Sequence, residues 1–474
     1  MNRWTSQQRK LMYLAGILLL LIPITQLGMP PDKNPNSGGS IARLRQQLDL
    51  GESDLGQLDP AGAAMNLALL GLRGIAANVL WIQAEQYKIH KDWEQMKSVT
   101  EQIVRLQPHY IKVWDYHAWN LAYNVSAEWD AVPDRYFWVK EGGKFLFKGV
   151  ERNRNAPSLP WTVGRIYGHK IGMSDEARYF RRYFRSDPDE KRYGGGVDPE
   201  WNERDEDNYI VAKRWFQRAN EVEALGKIRE TPQDKTIFRS YPARSQLDYA
   251  GALQKFGFYE EFDRQAGKRK LTDEEREQLE ARVREELREK TRQAWREGFE
   301  DWTNKYGQEL YTVNFLGKEV TFRLEMTADD IHAMAKSPEE EQLLKTVVDQ
   351  YQKMTNYRYW RTRALSEAEP ETAEAHWQLF AAGVAYHKAD PDKAIDHAWQ
   401  AMNLFEKTLE KYPELRYEDN FAEQACTAVL VWDLAHKLKG IRHSENFPLK
   451  TLWQEHQERL SEYLRYFERR FARD

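Results

Sequence analysis

Residues 78–124 constrain the fold more than any other stretch of this 474-residue chain. Leu80, Ala84 and Tyr87 follow one another at steps of four and three. The chain then breaks at Lys91-Asp92-Trp93, and a second apolar run reaches Leu106 before Pro108. Trp114, Ala118 and Leu121 restart the rhythm. Steps of three and four place side chains on one face of an α-helix, and a proline just past the pattern stops it. The stretch therefore predicts a helix, a tight turn, a second helix and a stop, after which a new pair begins. One pair has no second surface on which to bury its apolar face, so neighbouring pairs must stack.

That order resembles the tetratricopeptide repeat (TPR). Leu80 and Trp114 fall where the family places Trp, Ala84 and Ala118 at its small position, Tyr87 at its Tyr, and Pro108 at its terminal Pro. Gln83 and His117 depart from its usual Leu, Met96 from its Ala and Thr100 from its aromatic residue. A second block has the same order: Trp377, Phe380, Gly383 and Tyr386, then Ala394, Ala398, Ala401, Phe405, Leu409 and Pro413, with a second helix longer than the family's. The resemblance implies a mainly α fold, an α-solenoid of degenerate TPR-like helix pairs whose first helices line a concave face for peptides. Carried over residue by residue, the partner-binding positions are Asn78, Trp81, Glu85 and Lys88, followed by Lys112, Asp115 and Trp119. Over most of its length the chain also resembles uncharacterised membrane-anchored bacterial proteins with a TPR-like body, a likeness that implies no activity.

Composition narrows the function. Lys and Arg total 70 against 74 for Asp and Glu, a formal net charge of −4. A nucleic-acid binder carries a basic excess that this chain lacks. The single cysteine, Cys426, rules out an intrachain disulfide and a Cys-based zinc site, and its apolar neighbours point to an inert, buried thiol. The 17 Trp, 24 Tyr and 19 Phe suit interlocking helical cores, with exposed grooves for partners as the functional alternative.

The N-terminus reads as a membrane anchor. Residues 1–10 form a basic tail with Arg3, Arg9 and Lys10, and residues 11–29 are close to the ~20 apolar residues that cross a bilayer. Thr25, Gln26 and Leu27 before Gly28 make a poor cleavage site, so an uncleaved single-pass transmembrane helix fits better than a signal peptide. Basic residues before the run keep the N-terminus cytoplasmic and put the body on the extracytoplasmic side. Residues 30–58, with Pro30-Pro31, Pro35 and Gly38-Gly39, read as a tether.

The body divides by composition. Residues 59–262 are expected as a helical array carrying a charged, flexible insertion at 174–208. A helix over Ser245–Phe256 follows a linker with Phe238, Tyr241 and Pro242. Thr272 and Glu275 form a capping box that opens a long charged helix within 263–308, expected to lie across a surface. Alternation across 309–326 predicts one small β-hairpin turning at Gly317-Lys318, and 327–474 returns to helices, with a C-terminal helix closing the array. No phosphate loop, His-Glu-x-x-His or Gly-x-Ser-x-Gly occurs; His376, His387 and His397 recur in one helix pair, but ordinary histidines are favoured over a metal site. No catalytic residue, metal or cofactor is assigned. The expected function is a membrane-anchored scaffold binding protein or peptide partners outside the cytoplasm. The alternatives are a metal- or cofactor-dependent enzyme on a helical fold and a self-associating structural envelope protein.

Overall fold

The computed structural model describes residues 73–227, 231–267, 269–417 and 419–471, with isolated positions before residue 41. Within them the chain is mainly helical, with one antiparallel pair of strands. It divides into two compact units, residues 1–166 with 218–231, and residues 167–217 with 232–474. The expected anchor at 11–29, its basic tail and the tether lie outside the described residues apart from those isolated positions. Among the described residues no helix is long and apolar enough to cross a membrane.

The first unit contains α1 (Arg73–Ile89), α2 (Trp93–Leu106), α3 (Ile111–Trp119, extended by a π-turn over Asn120–Val125), α4 (Val132–Arg152) and α5 (Ser158–Arg165). Each packs on the next in chain order, and α3 also meets α5. Between α1 and α2, Lys91 takes a left-handed φ of 56°. That conformation lets the Lys91 and Asp92 amides donate back to the Lys88 and Tyr87 carbonyls, closing the helix end. The Asp92 carboxylate then accepts from the Gln95 amide and caps α2. Met96, Val99, Ile103 and Val104 are buried along α2. Pro108 stops the run, and Gln107 turns aside at φ −133°, ψ 73° as α2 ends. The Pro108 carbonyl, free of helical duty, accepts from Trp114 Nε1 at 2.9 Å and Asn153 Nδ2 at 3.0 Å, tying the stop to the next pair. There α3 and α4 cross closely: a Cβ on Gly142 would lie 2.7 Å from the Ala118 carbonyl oxygen.

The second unit contains α6 (Ala177–Arg185) and α7 (Asn208–Ala224), of which residues 208–217 belong here, then α8 (Lys235–Ala266) and α9 (Asp273–Glu300). It continues through β1 (Tyr311–Phe315), β2 (Lys318–Phe322), α10 (Ala328–Met334), α11 (Pro338–Met354), α12 (Tyr357–Glu367), α13 (Pro370–His387), α14 (Pro391–Lys411), α15 (Asp419–Lys439), α16 (Lys450–Glu455) and α17 (Leu460–Phe471). Helices α13, α14 and α15 pack mutually. Their turns repeat the device of the first unit. Ala389 sits at φ 57°, the Ala389 and Asp390 amides donate to Tyr386 and Ala385, and Asp390 caps α14 through the Lys393 amide. Tyr412, at φ −129°, ψ 70°, ends α14 before Pro413.

Several expectations change here. Residues 174–208 are not a loose insertion: Phe180, Arg181 and Phe184 of α6 are buried, as is Trp201. The short helix at 245–256 is the middle of α8, which runs straight through Pro242. Buried Phe238, Ala243, Leu247 and Ala250 on both sides of that proline offset the lost backbone bond, worth about 3 kcal/mol. Helix α9 opens at the expected capping box but ends in the interior, with its Trp295, and Trp302 in the π-turn just past its end, fully covered, instead of lying wholly on a surface. The hairpin turns at Leu316-Gly317, φ 52° and 79°, one residue earlier than expected. Both residues at positive φ make the type I′ turn that matches strand twist. At the C-terminus, Tyr463 and Phe467 of α17 are buried in the cluster formed by α13 and α15.

Candidate partner-binding face

Side chains of helices α1, α3 and α5 of the first unit meet along one face, α1 with α3 and α3 with α5. Trp81 and Glu85 of α1 reach Tyr116 of α3. The Trp81 and Tyr116 rings lie 4.8 Å apart, and the Tyr116 hydroxyl donates to Glu85 Oε1. Lys88 Nζ donates to the same hydroxyl at 3.0 Å and lies 4.9 Å from the ring centre. A Lys88–Tyr116–Glu85 relay results, in which each bond polarises the next. Its hydrogen bond to Tyr116 raises the Lys88 pKa; burial and the Glu85 carboxylate raise that of Tyr116.

The α3–α5 seam continues the line. Asp115 bonds Thr162, while its Oδ1 is covered and has no partner. Burial pushes the Asp115 carboxyl up to about 6, with the Thr162 bond and the Lys112 charge acting against it. One turn on, Trp119 stacks on Tyr123 at 5.6 Å and 17°, yet stays 47% exposed. The Tyr123 hydroxyl bonds Arg165, whose guanidinium lies 5.3 Å from the Trp161 ring centre. Behind this face His117 is fully buried beside Phe145, and burial drives its pKa down to about 3, which keeps it neutral.

Of the positions expected from the sequence, Trp81, Glu85 and Lys88 converge on Tyr116. Lys112 lies near Asp115, Trp119 follows along α3, and Asn78 is exposed at the start of the stripe. Tyr116, Tyr123, Thr162 and Arg165 were not singled out by sequence reasoning. Tyr116 and Tyr123 stand four residues beyond Lys112 and Trp119, so a four-step extension of the same stripe reaches both.

Two other places offer chemistry and resolve into structure. A cleft of about 1030 Å³ in the second unit is walled by arginines that already hold carboxylates: Arg182 with Asp263, Arg185 with Asp205 at 2.9 Å, and Arg264 with Glu261. Arg181, at its base, donates to Glu260 Oε1 at 2.7 Å, Asp207 Oδ2 at 2.8 Å and Asn208 Oδ1 at 2.6 Å. The three histidines separate. His376 bonds Glu367 at 2.7 Å, His397 bonds Gln378 at 2.6 Å and His387 stacks on Phe467 at 5.2 Å. No group of metal-ligating side chains forms among the described residues.

Comparison of the chain with protein-family models, curated proteins and solved structures finds no match.

Proposed function

We propose that the chain is a membrane-anchored helical-repeat scaffold, TPR-like in plan, whose α1–α3–α5 face binds an extended segment of a protein partner outside the cytoplasm. The observation that carries this reading is Trp119, a large ring left 47% exposed on the face where Lys88, Tyr116 and Glu85 are already held in place by one another. Interfaces concentrate their energy in such aromatic anchors, and a prearranged rim limits the entropy lost on binding. The basic residues before residues 11–29 support the orientation.

A photo-crosslinking side chain placed at Lys112 in the membrane-bound protein is expected to capture a partner, whereas one at exposed Glu94 on α2 captures none. Trp119→Ala should remove the Lys112 adduct at a stability cost of about 1 kcal/mol, the loss of its stack on Tyr123. Trp81→Ala, which strips the packing from Tyr116, should cost about 2 kcal/mol. Equal capture from Lys112 and Glu94, or from wild type and Trp119→Ala, defeats the proposal. A reporter fused after Asp474 tests the orientation and must be active only on the extracytoplasmic side.

A further inference from the structure

Among the described residues the hairpin of the second unit is a two-stranded sheet on its own, with β1 paired only to β2. Helix α11 lies beside β2. Core cover thins under β1: its inward side chains Val313 and Phe315 are only half-buried, whereas Val320 and Phe322 of β2 are buried. Phe315 and Lys318 flank the two-residue turn, so Tyr311, Val313 and Phe315 exchange backbone hydrogen bonds with β2. The amides and carbonyls of Thr312 and Asn314 therefore point away, along the open edge. Proteins blunt such edges with charges, prolines or bulges. From Leu310 to Phe315 and on to Leu316 this edge has none of these, and it is flanked by two leucines exposed by 68% and 84%. Leu316 also holds the left-handed φ of 52°, where Asn or Gly is unstrained. The fold keeps a strained, solvated leucine at the tip of this hairpin and buries nothing with it.

The segment Leu310-Tyr-Thr-Val-Asn-Phe-Leu316 is close to its own mirror image about Val313. Antiparallel pairing with itself sets Tyr311 against Phe315 and Thr312 against Asn314, with Val313 on the two-fold axis, and brings Leu310 beside the turn residue Leu316 of the other copy. In that register the outward backbone groups of Thr312 and Asn314 meet those of Asn314 and Thr312 in the other copy, as hydrogen-bonded pairs. Both exposed leucines gain an apolar partner, no charge opposes a like charge, and the half-buried Val313 and Phe315 are covered. We propose that β1 is a self-association edge, at which two copies of this chain join antiparallel about Val313 into a continuous four-stranded sheet.

The register supplies its own test. Thr312 and Asn314 are exposed, so charges there disturb no interior. In the full-length chain in detergent, Thr312→Lys with Asn314→Lys places lysine against lysine twice, whereas Thr312→Glu with Asn314→Lys (the Lys/Glu variant) places lysine against glutamate twice, and both keep lysine opposite Glu319 within the hairpin. Sedimentation velocity over a concentration series should show the wild type and the Lys/Glu variant dimerising, with the Lys/Lys variant about tenfold weaker. Mixing a Thr312→Cys chain with an Asn314→Cys chain under oxidation should yield a disulfide-linked dimer, since residues in such a pair lie about 5.5 Å apart. The lone native thiol, Cys426, is buried and does not compete. A monomeric wild type at every concentration, Lys/Lys and Lys/Glu variants that associate alike, or an edge occupied by a different polypeptide in place of a second copy would each overturn the proposal.

Discussion

Arg181→Met is the sharpest test of how residues 174–208 are held. The Arg181 side chain is 2% exposed, and its guanidinium donates to both Glu260 oxygens, to Asp207 and to Asn208 at 2.6–2.8 Å. Methionine keeps most of the stem and removes every donor, leaving two carboxylates facing each other without a cation. Taking one member from a buried ion pair costs about 3–5 kcal/mol, mostly from the charge left behind. Glu260 keeps 25% exposure and Asp207 11%, so both regain some water, and the lower end, about 3 kcal/mol, applies. Replacing the stranded charges as well (Arg181→Met, Asp207→Asn, Glu260→Gln) should return about 1–2 kcal/mol of it. Urea unfolding of the full chain gives the stability change, and trypsin cleavage at Arg182, Arg185, Lys191 and Arg192 reports local release. A loss under about 1 kcal/mol, or a wild type already cut there as fast as the variant, would refute the claim that this arginine pins the segment.

Three further outcomes follow from single contacts. Asp115 carries a pKa raised to about 6 by burial, so its folded form is favoured while protonated and is destabilised as pH climbs from about 4 to 6. His117, depressed to about 3, acts with the opposite sign: stability present above its ordinary 6.5 is lost as pH falls towards 3. Asp115→Asn should therefore add about 1–3 kcal/mol near neutral pH and steepen the loss on acidification, read by denaturant titrations across pH. Gly142→Ala should destabilise by about 1–2 kcal/mol, because a Cβ would meet the rigid Ala118 carbonyl at 2.7 Å. Gly251→Ala, whose Cβ would have its nearest neighbour at 4.0 Å, should instead gain about 0.5–1 kcal/mol; the same sign for both in thermal unfolding defeats the packing account. Leu316→Asn relieves the left-handed strain and should raise stability by about 1 kcal/mol while weakening self-association, measured on one sample by unfolding and by sedimentation.

What the sequence disclosed was governed by local rules. The helix pairs at 73–106 and 370–411 lay open because their periodicity, capping aspartates and closing prolines act within a few residues. Helix α8 was hidden by Pro242, since a local rule says stop while buried side chains on both sides say continue. The run of arginines at 178–185 looked solvated, although Tyr179, Phe180, Tyr183 and Phe184 recur at helical spacing. What reverses that reading is Glu260, 79 residues from Arg181, a pairing no local pattern contains. At the candidate face Trp81, Glu85 and Lys88 were named only through the resemblance, carried over residue by residue. Tyr116 was not named, because its role depends on a relay between two helices.

The helix pairs of the two units share their ends more than their interiors. In each unit a left-handed residue (Lys91, Ala389) precedes a capping aspartate, and the second helix stops at a residue near φ −130°, ψ 70° before proline. Only a few positions fix those turns, whereas packing accepts many substitutions of suitable volume. The first unit shows how far this goes. Thr100 is buried with its hydroxyl turned back onto the Met96 carbonyl at 2.7 Å, and His117 is buried with neither ring nitrogen bonded. Residues this polar sit at core positions of the first unit while its turn keeps the backbone path of the second. The same latitude applies to the outward side of α3: with the helix ends fixed at the turns, no core contact dictates the residue there, and Trp119 stays 47% exposed.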